Sequence, residues 1–139
     1  MSARSRGGEV HRPAEGSLFQ HVFDASSLIE IERKRFMSQL RRRHSEVVVP
    51  QKVADEVGGK GTPLGRFIRS YPDVVTRFQA SEGYEFLRIR SQVGIHDGEA
   101  AAIAVALSRD FPLVIEDKRG RTRATSHGVT CLGWREFVQ

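Results

Sequence analysis

Cysteine is almost missing from this chain: Cys131 is the only one in 139 residues. A single thiol excludes an intramolecular disulfide framework and any cysteine-rich zinc site, and it suits a reducing, cytoplasmic setting. No apolar run approaches the roughly 20 residues that a membrane span needs, so no membrane role is expected. The first twenty residues have no hydrophobic core of a signal peptide and mix both charge signs. No internal repeat or low-complexity tract is present. Five histidines (His11, His21, His44, His96, His127) are scattered without metal-ligand spacing. No Ser–His–Asp or Cys–His constellation is visible, so a protein nucleophile is not indicated.

What is present has the balance of one globular domain. Apolar residues make up 39% and charged residues 28%, which argues against a largely disordered chain. The 22 Lys and Arg against 17 Asp and Glu leave +5, and that excess favours a polyanion such as nucleic acid. Residues 1–18, broken by Gly7, Gly8, Pro13 and Gly16, read as a mobile arm, with the folded domain over 19–139. The arm carries only +1 of the excess.

Short apolar segments alternate with helical periods. HVFDASSLI (21–29) opens as a buried strand whose end delivers Asp24 into a strand-to-helix turn. One helix is expected over about 27–43, and SEVVVPQ (45–51) is a second strand. Pro50 is placed at the first turn of the helix QKVADEV. A short helix follows at 62–71, a strand is possible at 73–81, and a helix fits 82–92. The Ala-rich run 99–108 is a helix with little polar surface, expected to lie between layers. FPLVIED (111–117) is a third strand, 118–128 a basic helix or turn, and VTCLGW (129–134) a last strand. Trp134 and Phe137 are expected to dock on the core. This alternation predicts a three-layer α/β/α domain around a mostly parallel sheet.

In such folds ligands bind where the carboxyl ends of the strands open. Asp24 and Asp117 both fall at such ends, and two carboxylates at one sheet edge are costly unless a cation neutralises them. Hard oxygen ligands suit Mg²⁺ or Mn²⁺ rather than zinc. Helical angles add two acids. Glu56 lies roughly 60° from Val53, while Asp55 is about 160° away on the opposite face. Glu99 lies about 40° from the direction of Ile103, beside the buried face. Asp97 fits as the N-cap of that helix, or as an accessory ligand. Each acid alone has an ordinary role as a cap or a solvated charge: Asp24 could hold the Ser26–Ser27 turn, and Asp117 could pair with Arg119 or Arg121. Their convergence on one edge is the signal.

VFDASSLI, an acid in the helix after the second strand, GEAAAIAVAL, and LVIED followed by a basic run together resemble the PIN-domain nucleases, most of all the VapC-like toxin group. The resemblance spans about 21–134 and rests on the order and spacing of these short motifs. It implies a PIN-like fold with Asp24, Glu56, Glu99 and Asp117 as the four acids. Asp24, Glu99 and Asp117 would hold Mg²⁺ or Mn²⁺, and Ser26 would order the metal shell. Strand alternation turns only one of Glu116 and Asp117 inward and leaves open which. The resemblance further implies an endoribonuclease, usually a homodimer, held silent by a cognate antitoxin.

Cutting a polyanion beside an acidic pocket needs cations to hold the phosphates. Lys118, Arg119, Arg121 and Arg123 follow Asp117 directly, and Arg41, Arg42 and Arg43 form a second cluster. Two rival readings remain at this point. One is a catalytically silent PIN-like module that binds nucleic acid or protein. The other is a phosphohydrolase with Asp24 as nucleophile, disfavoured because Ser26 stands where that chemistry wants a second acid.

Overall fold

A computed structural model describes residues 19–139; the expected N-terminal arm lies outside the described residues. Five short strands, β1 (His21–Phe23), β2 (Val47–Pro50), β3 (Val75–Thr76), β4 (Leu113–Val114) and β5 (Cys131–Leu132), form one sheet in the order β3-β2-β1-β4-β5. Every pairing is parallel, with Val22 opposite both Val48 and Leu113. A parallel sheet must have both faces covered, which is why β2 is an uninterrupted buried run, VVVP.

The helices are α1 (Ala25–Arg33), α2 (Met37–Arg42), α3 (Gln51–Val57), α4 (Pro63–Ser70), α5 (Ala80–Arg90), α6 (Asp97–Arg109), α7 (Lys118–Ser126) and α8 (Trp134–Val138). The chain winds one way from β1 to β3, then returns across β1 to β4 and β5. Right-handed crossovers therefore put the helices between β1 and β3 on one face and α5, α6 and α7 on the other. The three-layer α/β/α architecture is the expected one. In α6 every residue from Gly98 to Ala106 is buried: alanines allow the helix to lie close against β1, β2 and β4 with α5 packed outside it.

Several boundaries differ from the sequence reading. The helix expected over 27–43 is two helices. Arg35 adopts φ 66°, its N–H bonds to the Glu32 carbonyl, and the Phe36 N–H reaches back to the Ile31 carbonyl at 2.9 Å. That is the Schellman ending of a helix, normally signalled by glycine, here built on an arginine. Pro50 ends β2 and caps α3 from outside, extended at ψ 147°, rather than occupying its first turn. The possible strand at 73–81 contracts to Val75–Thr76 behind a 3₁₀ turn at Pro72–Val74, and α5 begins at Ala80. In the third and last strands only two residues each join the ladder, and Trp134–Val138 coils into α8. Trp134 and Phe137 are buried, as expected for docked residues.

Candidate active site

The winding reverses between β1 and β4, so their carboxyl ends form the topological switch point at which open α/β sheets bind ligands. Phe23 is in register with Val114, and both chains leave the sheet there into acidic turns. Asp24 caps α1: its Oδ1 accepts the Ser27 N–H at 3.1 Å. It is only 5% exposed. Burial pushes its carboxyl up to about 6, against the lowering effect of bonds from Ser26 and Ser27. No salt bridge reaches it among the described residues.

Ser26 ties the two turns together. Its hydroxyl donates to both Asp24 oxygens at 2.9 Å and accepts the backbone N–H groups of Glu116 at 3.0 Å and Asp117 at 3.1 Å. The side chains of Glu116 and Asp117 then diverge. Glu116 turns away, its Oε2 accepting the Trp134 N–H at 3.0 Å at the start of α8. Asp117 caps α7 through Gly120 N–H at 2.7 Å. A Cβ placed on Gly120 would stand 3.2 Å from both Asp117 Oδ2 and Glu99 Cδ, so one glycine separates these two carboxylates.

Glu99 is 5% exposed in the first turn of α6 and is paired with Arg123, whose guanidinium lies 2.8 Å away and also donates to the Gly94 carbonyl. Glu56 comes from α3 and rests on the neighbouring residue: a Cβ on Gly98 would meet Glu56 Oε1 at 2.0 Å. Asp55 faces the other way and accepts from Gln51 at 2.9 Å, as the helical angles predicted. Asp97 is corrected. His96 is the N-cap of α6, and Asp97 is its first residue, exposed and ion-paired with Arg90. That partner, outweighing slight desolvation, holds its carboxyl below the usual range, with Lys52 adding to the pull.

These contacts link the four acids only in succession: Asp24 to the Asp117 turn through Ser26, Asp117 to Glu99 across Gly120, and Glu56 to Gly98 beside Glu99. Among the described residues no three acid, histidine or cysteine side chains are gathered closely enough to hold a metal ion. The donor chemistry fits a hard divalent cation: all donors are carboxylates, and Asp24 is buried with no cationic partner among the described residues. Arg123 is paired with Glu99, and Glu56 lies over Gly98.

Of the basic run, Lys118 and Arg119 are exposed at the start of α7. Arg121 and Arg123 are turned inward. Arg121 donates to the Ile115 carbonyl at 3.2 Å, and its buried Nε has no hydrogen-bond partner among the described residues. The inward ion pair Arg123–Glu99 was not foreseen in the sequence, although α7 carries arginines at every second position from 119 to 123, which brings one of them onto the face toward α6.

A family model described as a PIN domain matches residues 20–134, nearly the whole folded chain. No curated protein sequence matches significantly. Among solved structures, a protein from Pyrobaculum aerophilum is similar with a TM-score of 0.61 at 14% identity, over 86% of this chain and 94% of that one. The DNA-bound VapBC from Salmonella typhimurium gives 0.61 at 13% identity, over 84% and 99%. A PilT N-terminus domain protein from Sulfolobus solfataricus P2 gives 0.55 at 20% identity, over 87% and 91%. At such identities these likenesses concern the fold, whereas the match over 20–134 extends to the sequence itself. With its acids at the switch point of a β3-β2-β1-β4-β5 parallel sheet, the chain belongs to the PIN-domain family.

Proposed function

We propose that this protein is a metal-dependent endoribonuclease, the toxin of a toxin–antitoxin pair. The PIN-domain family is a family of nucleases, and one observation carries the reading to this chain. A single hydroxyl, that of Ser26, joins the buried Asp24 carboxylate to the backbone of Asp117, while Glu99 stands across Gly120 from Asp117. Asp24, Glu99 and Asp117 would hold Mg²⁺ or Mn²⁺, and Glu56 would act beside them. Such an ion, when bound, would supply a water of lowered pKa and polarise the scissile phosphate.

The chain's own residues do the rest. Ser26 orients Asp24 and fixes the turn that carries Asp117. Gly98 and Gly120 keep Cβ atoms out of the space between the acids. Lys118 and Arg119, exposed beside Asp117, hold flanking phosphates against the site's negative charge. The VapBC likeness supports a cognate antitoxin partner. Tyr84, Leu87 and Val93, 81%, 66% and 95% exposed, supply apolar surface for a protein contact such as a homodimer. Among the described residues no helix is long and apolar enough to cross a membrane.

The test is incubation with a mixed RNA pool and Mg²⁺ or Mn²⁺, beside an Asp24→Asn control. Cleavage that needs the metal and is lost in the variant is the expected result. RNA binding without cleavage in either protein would favour the silent module. Turnover of a phosphomonoester with RNA left intact would sink the nuclease reading.

A further inference from the structure

Beyond the acid centre, the carboxyl ends of β2 and β3 open into a second depression of about 320 Å³, lined by Gln51, Lys52, Asp55, Thr76, Arg77 and Phe78. That volume sits at the small end of ligand sites, which run from about 300 to 1,000 Å³, and suits one nucleotide rather than a folded segment. Its lining is ordered for such a guest. Asp55 accepts from Gln51, which orients its carboxylate and leaves the Gln51 carbonyl oxygen open as an acceptor. Lys52 lies 5.0 Å over the Phe86 ring and Arg77 is exposed; neither forms a salt bridge among the described residues. Phe78 is half-buried, tilted against Phe86 at 5.2 Å, and borders the depression with an aromatic surface. Arg109 fixes the floor by bonding both Thr76 Oγ1 and the Arg77 carbonyl.

Position connects this pocket to the acids. α3 supplies Gln51, Lys52 and Asp55 to the pocket and, one residue on, Glu56 to Gly98. β3 is two strands from β1, so the two openings are about 10 Å apart on the same edge of the sheet.

We propose that this pocket binds a nucleotide of the RNA strand flanking the scissile bond, with Lys52 and Arg77 on its phosphates and Phe78 against its base. The proposal rests on the endoribonuclease reading and adds a subsite to it. The lining carries two cations and one carboxylate, and Asp97, which Lys52 also attracts, is itself paired with Arg90, so the balance stays positive. A ring beside them provides the stacking surface common to single-strand sites. The cut strand then runs along the sheet edge, from Lys118 and Arg119 across the acids to β3.

Binding of a short unstructured oligoribonucleotide, fluorescently labelled, to the full-length Asp24→Asn protein in chelator isolates this subsite from catalysis. Adding Lys52→Ala with Arg77→Ala should weaken binding at least about tenfold and lower the slope of log affinity against log salt by about 1.4, for two phosphate contacts on a single strand. Phe78→Leu should weaken it severalfold with little change in salt slope or thermal midpoint. A 4-thiouridine-bearing RNA should cross-link to residues 76–78. Unchanged affinity and slope in the double variant, with cross-links confined to 118–126, would overturn the subsite and leave the nuclease reading standing. A parent protein that neither binds nor cuts RNA would overturn both.

Discussion

The guanidinium of Arg123 lies 2.8 Å from the carboxylate of Glu99, with the two side chains 19% and 6% exposed. A cation supplied by the chain itself thus occupies one of the proposed metal ligands. Arg123→Ala should strand a buried carboxylate and cost about 3 kcal/mol of stability. Because Glu99 would then be free for a divalent ion, Mn²⁺ should raise the melting temperature of the variant more than that of the parent. Equal Mn²⁺ shifts in a thermal titration would show that Glu99 and the ion do not meet.

Asp24 offers a pH test in metal-free protein. Burial raises its carboxyl from 3.8 to about 6, so the folded state holds this proton more tightly than the unfolded chain does. Its contribution to stability is then most favourable below about 4 and declines as pH rises through about 6. Asp24→Asn removes the buried charge while keeping an acceptor for Ser27 N–H. In chelator it should be more stable than the parent at neutral pH by on the order of 2 kcal/mol, with the difference vanishing in acid, and it should be inactive. Denaturant titrations across this range check both ends; a variant less stable at neutral pH contradicts the assignment.

Ser26 and Ser27 are adjacent serines with different tasks. Ser27 Oγ donates to the Asp24 carbonyl within its own helix start, whereas Ser26 crosses to the β4–α7 turn. Ser26→Ala should cost about 1–2 kcal/mol and lower cleavage by far more than that loss of folded protein explains. Ser26→Thr, which keeps a hydroxyl, should recover much of the activity. Single-turnover rates alongside melting curves separate the two effects.

Gly98→Ala probes Glu56 without substituting it. The added Cβ would fall 2.0 Å from Glu56 Oε1, the far end of an exposed, flexible side chain that can move aside. Stability should therefore stay within about 1 kcal/mol, the range of the glycine-to-alanine preference in helices, while cleavage drops with the displaced carboxylate. Unchanged cleavage would remove Glu56 from the proposed machinery.

Away from the site, Glu82 is fully buried and bonded by Arg109 at 2.7 and 2.8 Å. Burial alone would raise its carboxyl, but the bonds from Arg109 and from Gln79 N–H outweigh it and leave Glu82 below its ordinary 4.5. A depressed acid contributes stability above its unfolded value and loses it as pH falls through the folded one. Glu82→Gln should thus be destabilising at neutral pH and approach the parent in acid, as measured by thermal melts over pH.

The fold was largely legible in residue patterns. Apolar runs ending in Asp24 and in Glu116–Asp117 marked strands that stop at one edge, and the alanines of α6 marked a helix between layers. The helix break at Lys34–Phe36 was hidden because Arg35, not glycine, takes the left-handed turn. The N-cap of α6 was misplaced by one residue, since Asp97 finds Arg90 seven residues upstream in α5 and leaves His96 at the cap. Periodicity carries no information on such pairs.

By itself the sequence determined that little cysteine and no long apolar run leave a basic α/β domain with acids at its strand ends, because burial patterns and turn chemistry are local. Only the tertiary structure decided which acid does what. It turned Glu116 to Trp134, hung Asp24 and the Asp117 turn on one serine hydroxyl, set Arg123 on Glu99, and opened a pocket between α3 and β3. Those choices depend on residues about 90 positions apart meeting at ångström separations, a matter of packing that no local pattern records.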